Sequence, residues 1–207
     1  KGTLDYNTYV CGSDQIWNPT FYGQCHPIYY LDFVPDNKVK VAYAPSVGIK
    51  NIETKYTFIV DSDDWLTSDA IQTIIDYDNK YDSNDICGFS FLRKYPDGKI
   101  NVNSGHEDDY IASYNQVRVF EQRIGDMAEV YLTKILKYYP FPEFEHEKFL
   151  GEDIVWVEIG KKYELVFVNK TIYISDYLID GLTMNRRKNN IMSCQGAYER
   201  AKLFLSI

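Results

Sequence analysis

The sequence predicts an α/β chain built on a mixed sheet with flanking helices, and three observations predict it. Apolar runs of strand length stand at 56–60, 86–95 and 165–168, the pattern of strands covered on both faces. Between the first two, Ile71, Ile74 and Ile75 fall on one face of a 3.6-residue period. Strand-like and helix-like stretches then alternate to the C-terminus, an order that gives an α/β fold rather than separate α and β domains.

The elements follow in order. Tyr9-Val10-Cys11 runs into the turn Gly12-Ser13-Asp14, residues 29–34 form an extended apolar run, and residues 38–44 read as a third strand. The Gly-Ser turn could present backbone N–H groups to an anion or serve as a plain structural turn. After the run at 56–60 come Asp61-Ser62-Asp63-Asp64-Trp65, then Thr67 or Ser68 as the cap of a helix with Asp69 in its first turn. Residues 86–95 predict a strand, Pro96-Asp97-Gly98 a turn and residues 100–103 the returning strand of a hairpin. Residues 129–138 read as a short strand or helix ended by Pro140. Gly151-Glu152-Asp153 leads a helix containing Ile154, Val155 and Ile159. Residues 165–168 and 171–174 predict a strand pair around Asn169-Lys170, and residues 192–206 a closing helix.

Composition narrows the function. At 207 residues the chain can bury a core without disulfide or metal staples. Its 45% hydrophobic and 25% charged residues are ordinary globular values. A net charge of −8 argues against nucleic acid as the main partner, because phosphate backbones want a basic face. Residues 1–50 hold four Lys and four Asp with no Glu or Arg, so the whole imbalance lies after position 50. Four of the seven prolines fall in that first quarter, which reads as loop-rich. The first residue is Lys, no signal-peptide pattern stands at the start, and no run approaches ~18 apolar residues, so no transmembrane segment is expected. Cys11, Cys25, Cys87 and Cys194 lack metal spacing and are expected as free thiols in a reducing compartment. The 19 tyrosines suit either core packing or stacking on rings and sugars.

Three carboxylates within four residues, Asp61, Asp63 and Asp64, end the strand at 56–60. Like charges so close repel. A hard cation such as Mg²⁺ or Mn²⁺ removes the repulsion and leaves coordination sites for phosphate. The carboxyl edge of an open α/β sheet is also where ligands bind. Capping of the helix near Thr67 is the alternative at this stage. Glu152-Asp153 is the second acidic candidate; a helix start stabilises the anion and suits a cap, so a base there needs a neighbour that raises its pKa.

The strand and its acidic end, Phe58-Ile59-Val60-Asp61-Ser62-Asp63-Asp64-Trp65-Leu66, resemble the metal-binding DxD strand end of family 2 glycosyltransferases of the GT-A fold. Tyr139-Pro140-Phe141-Pro142-Glu143-Phe144-Glu145, Glu147-Lys148-Phe149-Leu150-Gly151-Glu152-Asp153 and Tyr177-Leu178-Ile179-Asp180-Gly181-Leu182-Thr183 with Asn185-Arg186-Arg187-Lys188 follow in that family's order. The resemblance covers residues 52–207. It implies a GT-A-like sheet with Asp61 and Asp63 as the DxD pair holding Mn²⁺ or Mg²⁺ against a nucleotide-sugar diphosphate. It also implies an acidic general base in an inverting transfer, mapped onto Asp153 with Glu152 beside it. Arg186, Arg187 and Lys188 face the diphosphate or form a solvated basic stretch.

Residues 1–50 resemble something else. Tyr9-Val10-Cys11-Gly12-Ser13-Asp14-Gln15-Ile16-Trp17-Asn18-Pro19, with Tyr30-Leu31-Asp32-Phe33 and Val41-Ala42-Tyr43-Ala44-Pro45-Ser46-Val47-Gly48, is similar to an internal piece of the polysaccharide pyruvyl transferases. The expected division is therefore 1–50 and 51–207, with the nucleotide-binding N-terminal half of the transferase missing and its sheet left with an open edge through which an oligomer could form. The resulting expectation is transfer of a sugar from a UDP-sugar to a surface-glycan acceptor, in the cytoplasm or at the inner face of the membrane. Loss of activity through truncation belongs to the same expectation. A non-catalytic remnant that binds glycan or a partner is the alternative, and ketal-pyruvate transfer a third.

Overall fold

The computed structural model describes residues 8–11, 39–42, 49, 52–61, 64–81, 86–103, 108–145, 147, 150–176 and 191–207. Two sheets occur among them. Strands β1 (Thr8–Cys11) and β2 (Val39–Ala42) pair in parallel, Thr8 opposite Val39. The larger sheet has six strands: β3 (Tyr56–Phe58), β4 (Trp65–Leu66), β5 (Ile86–Lys94), β6 (Tyr110–Ser113), β7 (Met127–Leu132) and β8 (Glu164–Ile174). Its order is β3-β7-β5-β8-β4, and β6 also pairs with β8. β5 and β8 run parallel at the centre, while every other pairing is antiparallel, so the sheet is mixed as the sequence predicts.

Two parts of that sheet differ from expectation. Residues 165–174 form one strand rather than a hairpin. Both halves pair with β5, Ser90 opposite Phe167 and Leu92 opposite Thr171, so Asn169 and Lys170 lie in a bulge instead of a reversal. The returning strand expected at 100–103 is reduced to two isolated bridges, Lys94 with Ile100 and Val102 with Gly125. The run at 129–138 is both readings in turn: β7 to Leu132, then helix α2 (Thr133–Tyr138), with helix α1 (Ala70–Lys80) earlier in the chain. The run at 29–34 lies outside the described residues.

Alternation along β7 sorts the core into two layers. Ala128 and Val130 face one side, where Phe58, Phe89, Phe91, Val166 and Tyr173 pack under α1. That helix presents Ala70, Ile74 and Tyr77, spaced for one face, and burying Ile74 and Tyr77 contributes about 1.5–3 kcal/mol each. Met127 and Tyr131 face the other side, packed against Tyr114, Val117, Leu136 and helix α3 (Asp153–Ile159). α3 is apolar nearly all round, and Trp156 stacks on Tyr131 at 4.4 Å between ring centres. Gly88 is required where β5 meets β7, since a Cβ there would stand 2.0 Å from the Val130 carbonyl oxygen.

The last helix, α4 (Cys194–Phe204), docks on this second layer through polar ties. The Glu147 carboxylate accepts hydrogen bonds from the N–H groups of Gln195 and Gly196 at 2.7 and 2.8 Å. A carboxylate at a helix N-terminus satisfies donors that otherwise have none, and favours the dipole.

Candidate functional site

The buried residue Val60 delivers Asp61 to the end of the β3 run, where its side chain is 58% exposed. Its N–H donates to the Tyr173 hydroxyl at 3.0 Å, so β8 fixes the acidic end. Asp64 is buried and plays a different part. Its Oδ1 accepts the Asp176 N–H at 2.9 Å, just past β8, while its own N–H closes a turn to the Asp61 carbonyl at 3.2 Å. The residue at the N-cap of α1 is Asp69, and no side-chain bond caps that helix. Asp64 thus ties the acidic end to the sheet. Asp63, the other expected ligand, lies outside the described residues, as do Arg186, Arg187 and Lys188.

Arg93, near the end of β5, is the hub that the sequence reading did not single out. Its Nε–H donates to the Met127 carbonyl at 2.5 Å, and its guanidinium lies 4.0 Å from the centre of the Tyr173 ring. Its Nη1 stands 3.9 Å from Asp61 Oδ2. Burial disfavours its charge, but the surrounding Tyr173, Glu129, Glu152 and Asp126 outweigh that and hold it protonated.

Glu152 immediately precedes α3, near enough for the Asp61 and Arg93 charges to act on it. Burial and then the Asp61 charge raise its carboxyl to about 7, with Arg93 pulling the other way. Glu129, from β7, is raised by burial and lowered by Arg118 and Arg93. Four chain segments therefore bring Asp61, Arg93, Glu129 and Glu152 into one electrostatic cluster.

Asp153 turns elsewhere. Arg200 of α4 grips it with two hydrogen bonds, Nε to Oδ1 at 2.7 Å and Nη2 to Oδ2. The Arg200 guanidinium also lies 4.5 Å from the Phe204 ring centre. The structure thus joins Asp61 with Glu152 and places Asp153 in the α3–α4 junction. Two sequence signals could have found the missed members: Arg93 closes an otherwise apolar β5 run, and Glu129 interrupts the apolar β7.

Asp61 suits a hard cation, since its exposed oxygens cap a rigid strand end. No group of three His, Cys, Asp or Glu among the described residues could enclose an ion. A Mg²⁺-like ion needs no such cage, because one or two carboxylates and the phosphates of a substrate complete its shell. The donor set on hand fits that mode. Glu152, with its carboxyl near neutrality, can hold or release a proton.

No family model matches the chain, and no curated protein does. Solved structures of residues 1–349 of S. aureus TarS are similar in part. One matches at 16% identity over 77% of this chain and 48% of that one, with a TM-score of 0.44. The complex with UDP-GlcNAc matches at 16% identity over 92% and 56%, TM-score 0.49. The complex with UDP gives 14% identity over 92% and 58%, TM-score 0.47. The chain spans about half the length of these structures, and scores of this size carry nothing beyond a loose likeness of chain path.

Proposed function

We propose that this chain belongs to a metal-dependent sugar transferase, moving a sugar from a nucleotide-sugar donor to a glycan acceptor with inversion. The convergence of Asp61, Arg93 and Glu152, with the Glu152 carboxyl near pH 7, carries the reading. The order of the motifs at 58–66, 139–145, 147–153 and 177–188 supports it independently of geometry. In this reading residues 51–207 are the C-terminal portion of a family 2-like transferase of the GT-A type, and residues 1–50 are a separate segment.

Asp61, with Asp63, would hold Mn²⁺ or Mg²⁺ against the donor's diphosphate. The ion supplies charge stabilisation for the departing nucleoside diphosphate. Arg93 keeps Asp61 and Glu152 together despite their like charge, and adds a fixed positive charge beside them. The base comes from the pair Glu152 and Asp153. Geometry favours Glu152, whose carboxylate takes the acceptor hydroxyl proton while that oxygen attacks the anomeric carbon. Asp153, held by Arg200, positions the start of α3.

Calorimetric titration of UDP with and without Mn²⁺ tests the proposal. Binding that requires Mn²⁺, and that Asp63→Ala or Asp61→Asn abolishes, is the expected result. Silence with UDP and other nucleotides in a folded sample sinks it and leaves a non-catalytic glycan- or partner-binding module. Unchanged affinity in both variants removes the acidic end from the site.

A further inference from the structure

The other charged anomaly lies where the π-helical turn Gln116–Phe120 leads into β7. Arg123 is 1% exposed, and among the described residues its Nε and Nη1 have no hydrogen-bond partner. Its remaining terminal nitrogen donates to Asn169 Oδ1 at 3.3 Å, on the β8 bulge. Arg118 is close enough for its charge to be felt, and its Nη1 is likewise buried without a partner, while Nη2 donates to the Gly125 carbonyl. The two guanidinium groups thus hold between them three buried nitrogens without a hydrogen-bond partner. Buried polar nitrogens are nearly always satisfied, and an arginine cannot relieve the cost by losing its proton.

The backbone is strained to keep them there. Gln122 adopts φ 54°, and Gly125, at φ 116°, could carry no Cβ, which would stand 1.8 Å from the Asn101 carbonyl oxygen. Asn103 braces this turn through Ile124 N–H at 2.8 Å. Nearby acids offset the pair in part, the Glu121 charge favouring the Arg123 cation and Glu129 lying near Arg118. Glu121 Oε1 accepts from the Tyr110 hydroxyl and Gln116 Nε2, both at 2.9 Å, and Glu129 lies toward Arg118 in the cluster around Arg93.

We infer that Arg118 and Arg123 form a binding site for a phosphate-class oxyanion, enclosed by the π-helical turn, the turn at 121–125 and the bulge of β8. Such an anion supplies acceptor oxygens to three orphan nitrogens and cancels the repulsion between two cations. Arg118 is half-buried, so the pair lies close to the surface. Burial and then the Arg118 charge lower the Arg123 pKa, with Glu121 acting the other way. The inference does not depend on the transferase reading.

Thermal unfolding in chloride buffer and in 50 mM inorganic phosphate (about that concentration suffices), at matched ionic strength, tests it. Phosphate is expected to raise the wild-type Tm by about 3 °C. Arg118→Gln is expected to fold and lose most of the rise. Arg123→Met is expected to lose the rise and to melt no lower than wild type in chloride, since it removes a buried cation with two unsatisfied nitrogens. No rise in the wild type, or a full rise in Arg118→Gln, overturns the site. Repeating the phosphate arm with saturating UDP and Mg²⁺ separates two sources. A response that UDP abolishes assigns the site to the donor's diphosphate, and one that persists assigns it to a phosphate group on another ligand. A phosphate response in a protein that ignores all nucleotides supports the site while sinking the transferase reading.

Discussion

Glu152 and Asp153 are adjacent in the chain and turn into opposite regions. On the Glu152 side three acids share two cations, Arg93 near Asp61, Glu129 and Glu152 and Arg118 near Glu129, and the Glu152 carboxyl rises to about 7. The Asp153 side is balanced: Arg200 answers Asp153 with two bonds, and two α4 N–H groups answer Glu147. The difference separates two uses of one residue type. Carboxylates matched one to one by donors hold α4 to the sheet, while those that share a counter-charge are available to a proton, a cation or a substrate.

Glu152→Gln gives the sharpest test of that contrast. Single-turnover sugar transfer is expected to fall roughly 10²- to 10⁴-fold with no loss of Tm. Should Asp153→Asn lose as much rate at an unchanged Tm, the division between the two regions breaks. On the balanced side, Arg200→Ala is expected to cost about 1–3 kcal/mol in denaturant unfolding, as both partners are less than a third exposed. A double-mutant cycle with Asp153→Asn checks that the loss belongs to the pair.

Proton linkage provides a smaller signal of known sign. Folding raises the Glu152 pKa from 4.5 to about 7, so its contribution to stability is complete below pH 4.5 and is lost as pH rises through 7. Unfolding in EDTA should show wild type losing roughly 1–2 kcal/mol relative to Glu152→Gln between about pH 5 and 8, after allowance for partial exposure. Equal slopes would mean that the acidic cluster is balanced after all. The smallest effect is expected from Glu147→Gln, about 0.5–1.5 kcal/mol through the weakened N-terminus of α4, with transfer untouched.

Periodicity carried much of this architecture. Apolar runs marked β3, β5 and β8 because burial determines those patterns; the isoleucine spacing marked α1 but not its face, since Ile74 is buried with Ala70, Thr73 and Tyr77 while Ile75 is exposed. Short-range chemistry was less informative about pairing. Nothing local in Asn169-Lys170 distinguishes a bulge from a reversal; β5, more than 70 residues earlier, imposes the choice. The same holds for the site. Asp61 and Glu152 announced themselves through acidic strings, yet only the sheet brings Arg93 near both, and only α4 engages Asp153. Arg123 gave no local signal, since its burial follows from the turn at 121–125 packing against the β8 bulge.

The parallel pairing of β5 with β8 at the centre of the sheet also dictates how the chain reaches its native state. Ile86 meets Glu164 only after β6, β7, α2 and α3 have been made between them. Closing so long a loop costs entropy before any contact compensates it, and parallel strands are slow to pair. Until then β5 is paired with β7 on one side and has an open edge on the other. Newly made chain therefore spends its longest folding phase with strand edges open to other copies, and yield at high concentration is set by how fast that one central pair closes.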